Sequence, residues 1–186
     1  MRKNVKGLFG AVIFLLAACA SPDPVLYTLM PKGGMARPAP GLRIELAHIG
    51  LPRYLDRPGI VLAAQSYRVE VAAGARWAEP FDAMLARVLA EDLRMRLKGA
   101  EVFTVESPLT AGGASRIEVD ITRFEGDGAG RVVLEAVAGV ARPGRDVEIL
   151  TVNLSEPLAS RETAAEVAAM STLLAELADR IAARLP

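Results

Sequence analysis

The single cysteine of this chain, Cys19, constrains the fold most, because it decides which residues belong to the mature protein. It follows Leu16-Ala17-Ala18, the end of an apolar run over residues 8–18. A run of eleven residues is too short to cross a bilayer, but it suits the hydrophobic region of a secretory signal peptide. The basic residues that precede the run are Arg2, Lys3 and Lys6. We therefore expect residues 1–18 to be a cleaved signal and Cys19 to become the N-terminus.

A cysteine at this place is typical of a bacterial lipoprotein signal, in which diacylglycerol is attached to the sulfur and the new amine is acylated, for example with palmitate. Two or more acyl chains anchor a protein stably, whereas a single chain does not. Since Ala20 rather than an aspartate follows Cys19, Gram-negative sorting favours the outer membrane, with the domain on its periplasmic face. The alternatives are an ordinary signal peptide and a buried cysteine in a cytoplasmic protein.

The composition of the mature chain fits one domain. Removal of residues 1–18 leaves 168 residues with 19 basic and 22 acidic side chains, a formal charge of −3 that argues against nucleic acid. A chain of this length buries about two-thirds of its unfolded surface, so it needs neither a disulfide nor a metal. With Cys19 acylated and His48 the only histidine, no Cys/His cluster exists for zinc. We expect no metal and no cofactor besides the covalent lipid on Cys19.

Residues 19–41 are expected to be the acylated N-terminus and a linker, because Pro and Gly punctuate both ends. The linker contains one short predicted strand at residues 25–29. The domain proper then covers residues 42–186.

Alternation of apolar and polar residues predicts the strands of this domain. Tyr67, Val69 and Val71 share one side of the third of these strands. The glycine-rich residues 126–130 lack the Lys-Ser/Thr of a phosphate-binding loop, so they predict a hairpin turn, and Pro143-Gly144 predicts another. The predicted strands cover residues 42–46, 60–62, 67–71, 101–105, 116–122, 132–140 and 147–154.

Apolar residues at spacings of three and four predict two amphipathic helices. The first runs from Pro80 to about residue 97 and ends at Gly99, and the second runs from about residue 162 to 184. The predicted buried stripes are Phe81, Leu85, Val88, Leu89, Leu93 and Leu97 in the first helix, and Val167, Met170, Leu174, Leu177, Ile181 and Leu185 in the second. The polar sides are expected to hold Arg96 in the first helix, and Glu166 and Asp179 in the second.

Two segments, Leu51 to Val61 and Trp77 to Pro80, carry more aromatic, charged and proline residues than a core requires, and we expect their candidate interface residues in loops. Trp, Tyr and Arg often dominate interface energies. The alternatives are a core position for Trp77 and an exposed Asp56–Arg57 ion pair worth about 0 to 1 kcal/mol. The candidate interface residues are Leu51, Pro52, Tyr54, Leu55, Asp56, Arg57, Trp77, Glu79 and Pro80.

The sequence does not favour catalysis, and we expect no catalytic residues. No Gly-x-Ser-x-Gly motif marks a nucleophile, and His48 has no second histidine to work with. The carboxylate pairs Glu118/Asp120 and Glu101/Glu106 are interpreted as solvated groups on strand faces. A periplasmic hydrolase remains the enzyme alternative.

Several of these segments together resemble the ABC-type transport auxiliary lipoprotein family. The resemblance is carried by the lipidation motif, by Leu51-Pro52-Arg53-Tyr54-Leu55-Asp56-Arg57-Pro58-Gly59-Ile60-Val61, by Arg76-Trp77-Ala78-Glu79-Pro80, by the strand at residues 116–124 and by the terminal helix. It implies an α/β fold, a mixed β-sheet packed with two main amphipathic helices in a single domain.

The resemblance also implies a function. Such lipoproteins are accessory parts of ABC systems with MCE-domain subunits, which move lipids between the inner and outer membranes. The implied partners are a periplasmic MCE-domain subunit, the outer membrane through the lipid anchor, and further copies of the chain in a homo-oligomeric ring. An envelope-assembly or peptidoglycan-associated lipoprotein without a transporter is the alternative.

Overall fold

The structure is a computed structural model that describes residues 23–65, 67–105 and 114–186, with only the backbone described for His48 and Gln65. The predicted signal peptide, Cys19 and Glu106 lie outside the described residues. In chain order the elements are β1 Val25–Tyr27, β2 Arg37–Pro38, β3 Arg43–Gly50, β4 Gly59–Gln65, β5 Arg68–Trp77, α1 Phe81–Arg96, β6 Leu97–Lys98, β7 Glu101–Thr104, β8 Ser115–Gly126, β9 Arg131–Ala141, β10 Glu148–Pro157 and α2 Thr163–Ala182.

A five-stranded mixed sheet forms the centre, with strand order β10-β9-β8-β3-β7. β8, β9 and β10 form an antiparallel meander, and β3 runs parallel to both β8 and β7. The two predicted hairpins are confirmed, because residues 126–130 join β8 to β9 and Pro143-Gly144 lies between β9 and β10. Along β8, Ile117, Val119 and Ile121 are buried as their alternation predicts.

Both helices cover one face of this sheet and pack against each other. α1 lies over β3 and β7, and α2 lies over β9 and β10. The predicted buried stripes of both helices are confirmed, since all their residues are buried. Gly99 follows α1 and has a φ of 87°, a backbone conformation that favours glycine. The predicted α/β class, a single domain with mixed strands and two helices, is therefore correct.

A second sheet has the order β1-β5-β4 and joins the core at one end. The strand predicted at residues 67–71 begins at Arg68 and continues to Trp77. Its predicted apolar side is not buried: Val69 and Val71 are 42 % and 40 % exposed, and Tyr67 is fully exposed. The reason is that β5 packs mainly on its sheet neighbours β4 and β1, whereas β4 lies against β8, so this side of β5 stays outside the core. Alternation alone does not reveal whether a face is covered.

The segment between β1 and β3 packs along both helices. Leu29 is fully buried, and its backbone N–H lies 3.2 Å from Sδ of Met84. The Met30 N–H donates to Oγ of Ser171 at 3.2 Å, which fixes the segment to α2. Farther along, the Arg37 guanidinium donates to the carbonyls of Ala182, Leu185 and Pro186 at the end of the chain.

Arg96 was expected on a polar helix face, but it is 1 % exposed. Its guanidinium donates to both carboxylate oxygens of Asp179 at 2.5 and 3.0 Å, and to the carbonyls of Lys32, Asp92 and Ala175. The expectation was wrong because Arg96 has five acceptors inside the protein, which replace the water that a charged group otherwise requires. Arg96 therefore joins α1, α2 and the segment before β2.

Candidate functional site

The first candidate segment forms the loop between β3 and β4, here called the Tyr54 loop (residues 51–58). Three backbone hydrogen bonds close it, from Leu55 and Asp56 to the Pro52 carbonyl and from Arg57 to the Leu55 carbonyl. Leu55 is 2 % exposed and anchors the loop in the core, whereas Asp56 and Arg57 are exposed. The loop thus holds an acidic and a basic side chain at the surface on a fixed backbone.

The Tyr54 side chain connects this loop to the end of β8. Its hydroxyl donates to Oε2 of Glu125 at 2.9 Å, and Glu125 is 1 % exposed. Glu125 also accepts from Nε of Arg123 at 2.9 Å and from the Phe124 N–H at 3.0 Å. Burial, followed by the hydrogen bond to Glu125, raises the pKa of Tyr54 well above its ordinary value. The phenol therefore stays protonated and remains a donor.

A second buried carboxylate, Glu166, lies near the first. It was expected on the polar side of α2, but it is 4 % exposed and accepts from the Gly126 N–H at 3.2 Å. Burial, with a smaller effect from the Glu125 charge, raises the pKa of Glu166 to about 7. A side chain at Gly126 would place its Cβ 2.2 Å from the Leu62 carbonyl oxygen, so only glycine fits there. The polar-side expectation failed because Glu166 faces the end of β8 rather than water.

Trp77, the centre of the second candidate segment, is buried. It is the last residue of β5 rather than part of a loop, and its side chain is 6 % exposed. Its indole stacks on Phe81 at 4.7 Å between ring centroids, and Phe81 lies 6.2 Å from the ring of Phe124. The backbone N–H of Trp77 donates to the Pro58 carbonyl at 2.8 Å. Trp77 therefore supports the Tyr54 loop from the core and does not present its indole at the surface.

Glu79 and Pro80 lie between the last residue of β5, Trp77, and the first residue of α1, Phe81. Glu79 forms an ion pair with Arg87 at 2.5 Å, and Arg87 also donates to Oγ1 of Thr28 at 3.2 Å. Pro80 is exposed and precedes the first helical residue. Glu79 is thus engaged in holding β1 and α1 together. Leu51 and Pro52 are half-buried at the start of the Tyr54 loop.

Glu79 and Arg87 also border a groove of about 390 Å³ between α1 and the strands β3 and β7. Seven of its twelve lining residues are apolar, and the other five are polar or charged. The other lining residues are Leu46, Ala47, Ile49, Asp82, Ala83, Ala86, Ala90, Arg94, Thr104 and Val105.

Within residues 23–65, 67–105 and 114–186, no three His, Cys, Asp or Glu side chains are grouped to hold a metal. No helix in the same ranges is long and apolar enough to cross a membrane. Glu118 and Asp120 are exposed on β8, where Glu118 pairs with Arg116, and Glu101 pairs with Arg43.

The sequence indicated the Tyr54 loop but missed the two carboxylates beneath it. Glu125 stands directly after Phe124, where the alternation of β8 breaks, because the pairing with β9 shifts register between Ile121 and Arg123. A strand that gains a residue in this way turns its side chains to other faces. The charged residues on either side of Phe124, Arg123 and Glu125, were the available signal, but they cannot be distinguished in sequence from a solvated strand end.

The family model of the ABC-type transport auxiliary lipoprotein component matches residues 27–182. The chain therefore belongs to this family of auxiliary lipoprotein components of ABC-type transport. The match covers the Tyr54 loop, the strand that ends at Trp77 and both helices. No curated protein is significantly similar to the chain in sequence.

Two solved structures share the fold. One is the crystal structure of an uncharacterized protein, with a TM-score of 0.73 and 21% sequence identity over 87% of this chain and 98% of that one. The other is protein XCC0632 from Xanthomonas campestris, with a TM-score of 0.68 and 20% identity over 87% of this chain and 95% of that one. At this identity the likeness concerns the fold alone.

Proposed function

We propose that this protein is anchored by lipid on Cys19 to the periplasmic face of the outer membrane and acts there as the auxiliary component of an MCE-type ABC lipid transport system. Membership of the auxiliary lipoprotein family supports a role in ABC-type transport. The lipidation motif at Leu16-Ala17-Ala18-Cys19 supports the anchor. The role is to dock the periplasmic MCE-domain subunit, with no reaction carried out on this chain.

The Tyr54 loop is the structural observation on which the docking proposal rests. Loops fixed on a rigid scaffold commonly carry binding residues. Here the buried Leu55 and the Tyr54–Glu125 hydrogen bond hold the backbone, so Asp56 and Arg57 need little ordering when a partner binds. We assign the contact to these two charges, and we assign Trp77 and Tyr54 to the support beneath them.

Two experiments test this function. Cys19→Ala removes the acylated sulfur and should release the mature domain from outer-membrane fractions, whereas the wild type should stay with them. Affinity capture of the tagged, lipidated protein from its own envelope, followed by mass spectrometry, should recover an MCE-domain subunit. An unrelated outer-membrane lipoprotein captured in the same way provides the control. Recovery of peptidoglycan-binding or assembly proteins without any MCE subunit would contradict the proposal.

A further inference from the structure

The free end of the β4–β5 hairpin exposes apolar side chains. We define this hairpin tip as residues 67–70. Tyr67 is fully exposed and has a φ of 66°, and Val69 is 42 % exposed. Arg68 and Glu70 are exposed as well, whereas Val71 lies nearer the base of the hairpin, beside Val61 and against Gly59. An aromatic and a β-branched residue at a free end contribute little to a core, so their exposure requires another explanation.

The direction of β1 relates this tip to the N-terminus. β1 runs parallel to β5, with Val25 beside Ala75 and Tyr27 beside Trp77. The N-terminal end of β1 therefore faces the same way as the N-terminal end of β5, where Arg68 and the hairpin tip lie. β1 itself exposes two more apolar side chains near its N-terminal end, since Val25 and Leu26 are 58 % and 62 % exposed.

Chain length limits where the anchor can lie. Cys19 precedes Val25 by six residues, which reach about 20 Å when fully extended. Tyr67 precedes Ala75 by eight residues, but β5 takes five residues from Val71 to Arg76 where β4 takes two from Gly59 to Val61. The hairpin therefore projects by about 20 Å, the length of the six residue steps of β4 from Gly59 to Gln65. The acyl chains on Cys19 therefore hold the membrane close to Val25, within a distance comparable to the length of the projecting hairpin.

We propose that the hairpin tip inserts into the headgroup region of the bilayer that holds the acyl chains of Cys19. This inference rests on the proposed anchor. Tyrosine suits this region because its ring is amphipathic, with an apolar body and a polar hydroxyl. Val69 adds apolar area, and Arg68 can place its charged head at the lipid phosphates. Glu70 balances the charge of Arg68, so the contact does not depend on anionic lipid.

The contact orients the domain. A lipid anchor alone leaves the domain free to turn about its tether, whereas a second contact at the tip fixes which surfaces face the periplasm. The Tyr54 loop adjoins the opposite end of the hairpin, where Pro58 bonds to Trp77 and β4 begins at Gly59. The tip and the loop therefore lie at opposite ends of the same two strands, and seating the tip on lipid directs the loop away from it.

The test uses full-length lipidated protein reconstituted into vesicles of phosphatidylethanolamine and phosphatidylglycerol, with or without bromine on the acyl chains. Tyr67→Trp adds an indole at the tip, and the protein with only Trp77 gives the background. The matched control is Ile149→Trp, because Ile149 is 63 % exposed on the other sheet. We expect the indole added at residue 67 to shift its emission to shorter wavelength and to lose emission to the brominated chains. The indole added at residue 149 should do neither.

Each other outcome overturns the inference in a recognisable way. If both variants float with the vesicles but neither added indole is quenched, or both are quenched equally, the tip makes no specific contact while the anchor stands. If the indole at residue 67 responds only when a soluble MCE domain is added, the tip binds protein instead. If the wild-type protein does not float with vesicles, both the anchor and the tip contact are wrong.

Discussion

The Tyr54 hydroxyl donates a 2.9 Å hydrogen bond to Oε2 of Glu125, so an exposed loop is joined to a carboxylate that is only 1 % exposed. Arg123 and the Phe124 backbone donate to Glu125 as well, so this buried carboxylate has three hydrogen-bond donors. The position of the Tyr54 loop is therefore set by the end of β8, a strand of the central sheet. This hydrogen bond therefore fixes the surface loop to the folded core.

Tyr54→Phe tests the link. It removes one donor from a buried carboxylate without changing the ring, so the free energy of unfolding should fall by about 1 to 2 kcal/mol. Chemical denaturation measures this change. Tyr67→Phe is the matched control, because Tyr67 is fully exposed and the loss of its hydroxyl should change stability by less than about 0.5 kcal/mol. Equal effects at the two tyrosines would show that the Glu125 bond does not hold the loop.

Glu166 predicts a dependence of stability on pH. Its pKa rises from an ordinary value of 4.5 to about 7 on folding, so the folded state holds the proton more tightly than the unfolded chain. The free energy that this proton contributes to folding is present in full below pH 4.5, the pKa of Glu166 in the unfolded chain, and is lost as the pH rises through about 7, the pKa in the folded state. The loss lowers the free energy of unfolding by about 3 kcal/mol. Asp92, whose pKa burial raises to about 6, acts in the same direction.

Denaturation at several pH values between about pH 5 and pH 8 measures this effect. Glu166→Gln should flatten the decline in stability, because the amide carries no titrating proton. Glu162→Gln is the control, since Glu162 is exposed just before α2 and its replacement should leave the slope unchanged. A slope that is the same in Glu166→Gln and the wild type would assign the pH dependence to other groups.

Sequence patterns predicted the loop that carries Tyr54 but placed Glu166 on a polar helix face, and the reason for this difference is physical. Periodicity detects a buried face only where apolar residues form it, so β8 and both helix stripes were predicted correctly. Arg96 is buried because polar partners far along the chain surround it, among them Asp179, 83 residues away. Glu166 is buried against the backbone of Gly126, 40 residues away. The opposite error concerns the strand that begins near Tyr67. Its alternation predicted a buried apolar side, but no other element in the described part of the chain packs on that side. β2 and β6 span two residues each, too few for any pattern.

The pair of Arg96 and Asp179 gives a further prediction. Asp179→Asn leaves the Arg96 charge buried with a weaker acceptor, so the free energy of unfolding should fall by about 2 to 4 kcal/mol. Glu176→Gln is the control on the same helix, because its ion pair with Arg180 is exposed and is worth about 0 to 1 kcal/mol. Thermal or chemical unfolding distinguishes the two. If Asp179→Asn is as mild as Glu176→Gln, the remaining carbonyl acceptors and the buried Asp92 carboxylate, 4.0 Å from the guanidinium, satisfy Arg96 without Asp179.

Docking of an MCE-domain subunit through the Tyr54 loop is the central claim, and capture by a charge-matched pair of variants tests it most directly. One variant combines Asp56→Ala with Arg57→Ala, and the other combines Arg145→Ala with Asp146→Ala in the exposed turn between β9 and β10. Both remove one acid and one base from neighbouring exposed positions, so net charge and stability should stay alike. The account predicts that lipidated protein carrying the first pair loses capture of the MCE subunit, while protein carrying the second pair retains it. Equal capture by the two variants, with both folded and membrane-bound, would contradict the account.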